Sequence, residues 1–259
     1  MNIAIKCYGD VSEASATEIS NIVTESYPKL GEPMGGSMSI EVFEKGEEQN
    51  FFCTHDALEG HPRVRIFLDR YLQIPRLVGL AGIRRQIVHS IIHGSLKYYL
   101  VKFPEALKST IKDYEMSYEF GTSVLYSISM TAKEYEATVF LYRHGFRDEQ
   151  MAYANYMLSP CQEEVLAWKL SAANTTSRIL YLMAIIRDIS CAIPLLQEGS
   201  VANDINMLID TKTAHLDSEY RTLITGIAQE VAGFMGEDTF DNIEKIFRLV
   251  NRQILNDML

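Results

Sequence analysis

The spacing of hydrophobic and polar residues divides the chain into a mixed N-terminal part and a helical remainder. Short extended runs, typical of β-strands, occur at 3–8, 39–43, 51–54 and 64–68. The second and the last of these runs alternate polar with apolar residues, which favours a sheet that is covered on one face only. Between the first two runs, Ile19, Ile22 and Val23 fall on one face of a helix predicted over 13–27. The pattern therefore predicts a small sheet accompanied by one helix.

From Pro75 onward, nearly every segment has helical periodicity. Proline, glycine and short polar stretches interrupt it, so the predicted helices cover 77–100, 105–119, 122–144, 148–158, 163–173, 176–193, 219–234 and 239–258. The predicted fold class is α+β, with a small mixed N-terminal sheet followed by a predominantly α-helical remainder. We expect residues 1–145 to form the α+β domain and residues 146–259 to form a helical extension or subdomain packed on it.

Two histidines carry the main candidate chemistry. His89 and His93 stand four residues apart in the helix predicted over 77–100, and this spacing places two imidazoles on one helix face, as two nitrogen ligands of one metal ion require. On a helical wheel they fall at the polar edge of the apolar arc, beside Gln86 and Lys97, so we expect them to border a cleft. The alternative for such a short pattern is a pair of histidines that hydrogen-bond to backbone carbonyls.

The residue after the first histidine departs from the metallopeptidase motif H-E-x-x-H. That motif places a glutamate there, whereas this chain has Ser90. A serine neither carries a full negative charge at neutral pH nor accepts a proton from metal-bound water as a carboxylate does. The sequence therefore favours metal binding more than catalysis, and any hydrolysis would need another residue as base.

The order of these elements, together with the two histidines, resembles the zincin metallopeptidase fold over residues 1 to about 145. In that fold a small sheet with one helix precedes the histidine-bearing helix, and a later helix brings the third ligand. The resemblance implies a third ligand in the segment 128–140, where Glu136 is the first choice because it falls on the apolar face, and Glu134 is the second. The alternative is that Glu136 is buried against Arg84 or Arg85, or that it accepts tyrosine hydroxyls.

Other histidines and carboxylates are weaker candidates. His55 and His61 flank a polar turn, which makes them a weak surface site for metal or simply loop residues. His144 precedes Gly145 at a helix end, where it is expected to cap carbonyls. Glu115 and Glu119 could replace the missing base, but their amphipathic segment favours exposure to water. Tyrosines are frequent around the histidine helix, and aromatic residues at helical spacing are usually core; they are Tyr98, Tyr99, Tyr114, Tyr118, Tyr126 and Tyr135.

Composition narrows the function classes further. The chain has 259 residues, is 47% hydrophobic and carries a formal charge of −10, so it can bury a sizeable core and lacks the basic excess of a nucleic-acid-binding protein. Its four cysteines form no C-x-x-C pair, the start lacks a signal-peptide pattern, and the longest apolar run is too short to cross a bilayer. We therefore expect a cytoplasmic protein that binds neither nucleic acid nor membrane and whose partner, if any, is a peptide or protein.

Two functions follow from the sequence. In the first, the chain is a zincin-like protein that binds Zn²⁺ through His89, His93 and Glu136, as a degenerate or atypical metallopeptidase. Two imidazoles and a carboxylate would also accept Ni²⁺, Co²⁺ or Fe²⁺. In the second, it is a non-catalytic helical binding or assembly protein on an inactive zincin-like scaffold.

Overall fold

The computed structural model describes residues 2–46 and 51–259. The chain divides into two compact units: unit 1 takes its residues from 1–101 and 139–153, and unit 2 from 102–138 and 154–259. The boundary predicted after residue 145 falls within the second segment of unit 1. A small mixed sheet near the N-terminus followed by helices confirms the predicted α+β class.

The sheet of unit 1 is mixed, as predicted. Within the described residues it contains four strands, β1 (Asn2–Tyr8), β2 (Ser37–Phe43), β3 (Cys53–Asp56) and β4 (Arg63–Phe67). Their spatial order is β1-β2-β4-β3; β1, β2 and β4 are parallel, and β3 runs antiparallel to β4 at the edge. In β2, Met38, Ile40 and Val42 are buried while the residues between them are partly exposed, as the alternating pattern predicts.

Two long helices cover this sheet. Helix α1 (Glu13–Leu30) begins at Ser12, whose hydroxyl accepts a hydrogen bond from the backbone N–H of Ser15. It buries the predicted face of Ile19, Ile22 and Val23 and packs against the histidine helix α3 (Arg76–Ile92). A single short helix, α2 (Leu68–Tyr71), leads from β4 towards α3.

Helix α3 ends at Ile92, well before the predicted end at residue 100. Gly94 lies two residues beyond this end, and a Cβ atom at this position would lie 2.1 Å from the carbonyl oxygen of Ser90 and 2.9 Å from Cγ of Pro62. Only glycine tolerates so close an approach. Beyond it, Leu96–Tyr98 form one 3-10 turn rather than a continuation of the helix.

The remaining helices are α4 (Glu105–Asp113), α5 (Tyr118–Arg143), α6 (Arg147–Met157), α7 (Gln162–Ser171), α8 (Thr175–Ile189), α9 (Ala202–Thr213), α10 (Ser218–Phe234), α11 (Thr239–Val250) and the terminal turn α12 (Asn256–Met258). Two of the three unit boundaries fall inside α5 and α6, and the third precedes α4. Helix α9 lies in a segment without a predicted helix, because its first turns are polar. Gly121 lies inside α5 instead of separating two helices.

Unit 2 has its own hydrophobic core. Helix α8 contributes Ile179, Leu182 and Met183, and it packs against α10 and α7. Helix α11 buries Ile246 and Phe247 completely and packs against α10. Across 2–46 and 51–259, no helix combines the length and apolar character that a membrane crossing needs.

Candidate metal centre

The edge strand β3 lies along the histidine helix. A Cβ atom at Gly82 of α3 would lie 3.3 Å from Sγ of Cys53, so the strand and the helix approach closely at this point. His55 lies two residues after Cys53, on the same face of the strand. Two turns further along α3 stands His89, and the ring centroids of His55 and His89 are 6.0 Å apart. The packing of β3 on α3 thus brings a third histidine to the predicted pair.

The predicted pair itself is closely spaced and buried. Nδ1 of His89 and Nδ1 of His93 are 2.9 Å apart, and the ring centroids are separated by 5.2 Å. The exposed fractions are 4% for His89 and 0% for His93. The expectation that they border a cleft at a polar helix edge is therefore wrong, since α3 is buried on that side as well.

The local backbone turns His93 towards His89. His93 is the residue that closes α3; its φ and ψ of −126° and 18° are no longer helical, and its N–H donates to the carbonyl oxygen of His89 at 2.8 Å. Because two nitrogens at 2.9 Å share a hydrogen bond, one ring donates N–H and the other accepts. The pair therefore presents at least one imidazole nitrogen lone pair inside the protein.

A tyrosine fixes the third imidazole. The hydroxyl of Tyr99 is hydrogen-bonded to Nδ1 of His55, and burial, together with the charge of Asp56, raises the pKa of Tyr99. Tyr99 therefore remains a neutral phenol, which can donate to Nδ1 or accept from it. The neighbouring Tyr98 sets its ring edge-on against His93, with centroids 5.2 Å apart.

Ser90 faces away from the histidines and into the core between α1 and α3. It is fully buried, and its hydroxyl donates to the carbonyl oxygen of Ile87 at 2.6 Å. Its oxygen lies 3.0 Å from the hydroxyl of Tyr27. The residue that departs from the H-E-x-x-H motif is thus a core hydrogen-bonding residue.

The carboxylates predicted as the third ligand belong to the other unit. Glu136 lies in unit 2 and is half-buried. Its Oε2 accepts from the hydroxyl of Thr239 and its Oε1 from the amide of Asn242, each at 2.7 Å. These two donors offset the cost of placing a carboxylate away from water. Glu134 is also half-buried in unit 2, and the role of either residue as a metal ligand stays a prediction.

The arginines considered as partners of Glu136 have partners within unit 1. Arg84 forms a salt bridge with Glu149 and lies over the ring of Phe146, 4.7 Å from its centroid. Arg85, which is 1% exposed, donates to the side-chain oxygen of Gln150 at 2.8 Å. Both arginines therefore join α3 to α6 in unit 1.

The weaker histidine and carboxylate candidates have ordinary structural roles, apart from His55. His61 lies 3.2 Å from the hydroxyl of Ser39. His144 is 2.7 Å from the carbonyl oxygen of Phe140, which confirms the predicted helix capping. Glu115 and Glu119 are exposed, as expected.

The tyrosines divide between core and surface. Tyr135 is buried, whereas the core prediction is wrong for Tyr114, Tyr118 and Tyr126, which are exposed.

The imidazole nitrogens of His89 and His93 are a donor type that borderline-soft divalent metals accept. Zinc binds imidazole nitrogens at about 2.0–2.1 Å, so two tetrahedral ligands place their nitrogens about 3.4 Å and their ring centroids about 5 Å apart. The pair of His89 and His93, with values of 2.9 and 5.2 Å, is close to this arrangement. In the part of the chain that the structure describes, no group of three or more histidine, cysteine, aspartate or glutamate side chains is placed to hold a metal ion.

Comparison of the chain with protein-family models, curated proteins and solved structures finds no match. The function therefore has to be inferred from the residues of the chain itself.

Proposed function

We propose that this protein binds a divalent transition metal ion, zinc in the first place, at the imidazoles of His89 and His93. The observation that carries the proposal is the separation of 2.9 Å between the two Nδ1 atoms, inside the protein and on one turn of helix. A metal ion would replace the shared hydrogen bond if the two nitrogens moved apart by about 0.5 Å and the donor ring carried its proton on Nε2 instead of Nδ1. This requires adjustment of two side chains and leaves the helix unchanged.

Burial supports the proposal. Two imidazoles in a buried position lose their hydrogen bonds to water, so their nitrogens depend on partners inside the protein. A metal ion would use the lone pair of each ring and leave the second nitrogen of each as an N–H donor to a neighbour, which is the usual arrangement of ligand histidines.

The proposed function does not include peptide hydrolysis by the mechanism of the zincins. The position of the motif glutamate holds Ser90, whose side chain is engaged with Ile87 and Tyr27 in the core. A general base must lie within hydrogen-bond reach of the metal-bound water, and this side chain points elsewhere. We therefore propose a zincin-like metal-binding scaffold without the peptidase base.

The two nitrogens would also accept Ni²⁺, Co²⁺ or Fe²⁺, and geometry alone does not select among these ions. A cytoplasmic location fits the proposal, because no disulfide joins the four cysteines, all of which lie in the described residues.

Calorimetric titration of Zn²⁺ into chelator-treated protein tests the proposed function. The wild-type chain is expected to bind about one equivalent, and both His89→Ala and His93→Ala are expected to lose at least 100-fold in affinity. His144→Ala is the matched control, since His144 caps a helix end in the same unit. Unchanged binding in the His89 and His93 variants, or no binding by the wild type, would overturn the proposal.

A further inference from the structure

We propose that two copies of this chain associate through the strand β1, so that their two sheets join into one continuous sheet. Strand β1 lies at one edge of the sheet, and in the part of the chain that the structure describes no strand pairs with its outer side. Ile3 is partly exposed, and the other residues of β1 are exposed. Edge strands that stay unpaired usually carry prolines, several charges or bulges, whereas β1 has no proline and one charged residue, Lys6. This inference is independent of the metal site.

The backbone of β1 offers a regular row of outward-facing groups. The carbonyl oxygen of Tyr8 accepts a hydrogen bond from the N–H of Glu44, the residue after β2, at 2.9 Å. The backbone groups of Tyr8 therefore face β2. Because the groups of successive residues in a strand face opposite sides, those of Ile3, Ile5 and Cys7 face outward. These are the groups that a further strand would bind.

The side chains of the same three residues form an apolar stripe. The register between β1 and β2 places Ile3, Ile5 and Cys7 beside the buried residues of β2, so they lie on the buried face of the sheet. Ile5 is nevertheless 36% exposed, and Cys7 is exposed as well. Apolar residues on the covered face are typical of a strand with neighbours on both sides. A strand added at this edge would cover the stripe.

A second copy of β1 fits the edge because the strand is complementary to itself. Ile5 is the central residue of Asn2–Tyr8. In antiparallel pairing about a two-fold axis at Ile5, the two Ile5 residues face each other and Ile3 faces Cys7 of the second copy. These pairs use all the outward-facing backbone groups and form about six hydrogen bonds. Because the axis is two-fold, both edges are used and the assembly closes as a dimer.

Charge favours this register over its neighbours. An axis at Lys6 would set two ammonium groups directly opposite each other, which is destabilising. An axis at Ala4 would leave the outward groups of Cys7 without a partner residue in β1. With the axis at Ile5, each Lys6 lies opposite Ala4 of the second copy and beside Glu41 in the β2 strand of its own chain. The partner that suits this edge best is therefore a second copy of the chain.

Sedimentation equilibrium of the metal-free wild-type protein tests the proposal and is expected to show a monomer–dimer equilibrium. Ile5→Lys sets two lysines opposite each other at the axis and is expected to weaken dimerisation by at least about 10-fold. Leu72→Lys makes the same charge change at a 65% exposed apolar residue of unit 1. It is the matched control and should associate like the wild type. A wild type that stays monomeric up to about 1 mM, or equal association of wild type and folded Ile5→Lys, would overturn the proposal.

Disulfide trapping gives a second readout, which reports the register and does not depend on the folding of Ile5→Lys. Ile3→Cys is expected to link to Cys7 of the second copy after mild oxidation, since paired Cα atoms lie about 5.5 Å apart, within the span of a disulfide. Within one chain, residues 3 and 7 are about 13 Å apart along the strand and cannot join. Ala4→Cys projects from the opposite face and is the control.

A non-reducing gel separates the outcomes. The covalent dimer is expected with Ile3→Cys and is expected to be absent with Ala4→Cys and with Ile3→Cys combined with Cys7→Ser. No covalent dimer with Ile3→Cys, or one that persists when Cys7→Ser is added, would contradict the proposed pairing.

Discussion

The hydroxyl oxygen of Ser90 lies 3.0 Å from the hydroxyl oxygen of Tyr27, and this contact joins the histidine helix to α1 inside the core of unit 1. The Ser90 hydroxyl donates to the carbonyl oxygen of Ile87, and the Tyr27 hydroxyl also donates to Sδ of Met38 in β2 at 2.9 Å. Burial raises the pKa of Tyr27 to about 12, against a smaller opposing effect of the Ser90 hydrogen bond, so Tyr27 remains a donor at neutral pH. The position that distinguishes this chain from the metallopeptidase motif therefore stabilises the fold.

Ser90→Glu, which would restore the H-E-x-x-H pattern, is expected to destabilise the protein rather than to create a peptidase. It places a longer, charged group in a fully buried position, and we expect a loss of about 3 kcal/mol or more in the free energy of unfolding. Ser90→Ala, the matched control, removes the hydroxyl that contacts Ile87 and Tyr27 and should cost about 1–2 kcal/mol. Urea unfolding measures both values. A Ser90→Glu protein as stable as Ser90→Ala would show that this side chain can leave the core.

Glu136→Gln is expected to destabilise unit 2 in metal-free protein. Both carboxylate oxygens accept hydrogen bonds, from Thr239 and Asn242; a neutral amide weakens the bond from Asn242 and forces the Thr239 hydroxyl to accept instead of donate. We expect a loss of about 1–2 kcal/mol, measured by thermal or urea unfolding in the presence of a chelator. Glu237→Gln, an exposed change nearby, should alter stability by less than about 0.5 kcal/mol.

A metal-free Glu136→Gln protein of wild-type stability that nevertheless loses zinc affinity would contradict this structural role. It would instead support the ligand role predicted for Glu136 from the sequence.

Glu149→Ala is expected to be strongly destabilising, because it leaves the guanidinium of Arg84 without its carboxylate. The side chains of Arg84 and Glu149 are only 10% and 12% exposed, and removing one partner of such a pair typically costs about 3–5 kcal/mol. The exposed pair of Arg248 and Glu244 offers the control, since Glu244→Ala should cost less than about 1 kcal/mol. Equal losses in the free energy of unfolding for Glu149→Ala and Glu244→Ala would contradict this distinction between a buried and an exposed ion pair.

Stability should rise with pH above about 8 because of Lys133. Burial lowers the pKa of Lys133 to about 8, against smaller opposing effects of Glu134 and Glu136, whereas in the unfolded chain a lysine has a pKa of about 10.4. Between these values the unfolded chain binds more protons than the folded one, so the free energy of unfolding increases with pH.

Comparison with Lys133→Met isolates this effect. The variant should be more stable than the wild type at pH 7.5, and the difference should shrink towards pH 9.5. In urea unfolding, the ionisation of unfolded tyrosines near pH 10 affects both proteins alike and cancels in their difference. If the difference in the free energy of unfolding between Lys133→Met and the wild type does not change with pH, the lowered pKa of Lys133 is contradicted.

Local patterns account for the parts of the structure that the sequence predicts. The face of α1 and the alternation of β2 depend on neighbouring residues, and the spacing of His89 and His93 depends on one helical turn. These features follow from periodicity alone.

Features that depend on long-range packing could not be predicted in this way. Pro62 lies close to Gly94 just beyond the early end of α3, and the arrival of His55 beside His89 follows from the packing of an edge strand on a helix. The buried position of the histidine pair has the same origin, since a helical wheel shows one helix and not its neighbours. Gly82 is a local sign that another segment approaches α3 closely, because a side chain there would clash with residues of that segment. The sequence does not say that this segment is β3.

Elemental analysis by mass spectrometry, on untagged protein reconstituted with zinc and then dialysed against metal-free buffer, tests the central claim most directly. The account predicts about one zinc per wild-type chain and less than one tenth of that in His89→Ala and in His93→Ala. Zinc absent from the wild type, or retained in full by both variants, would contradict it.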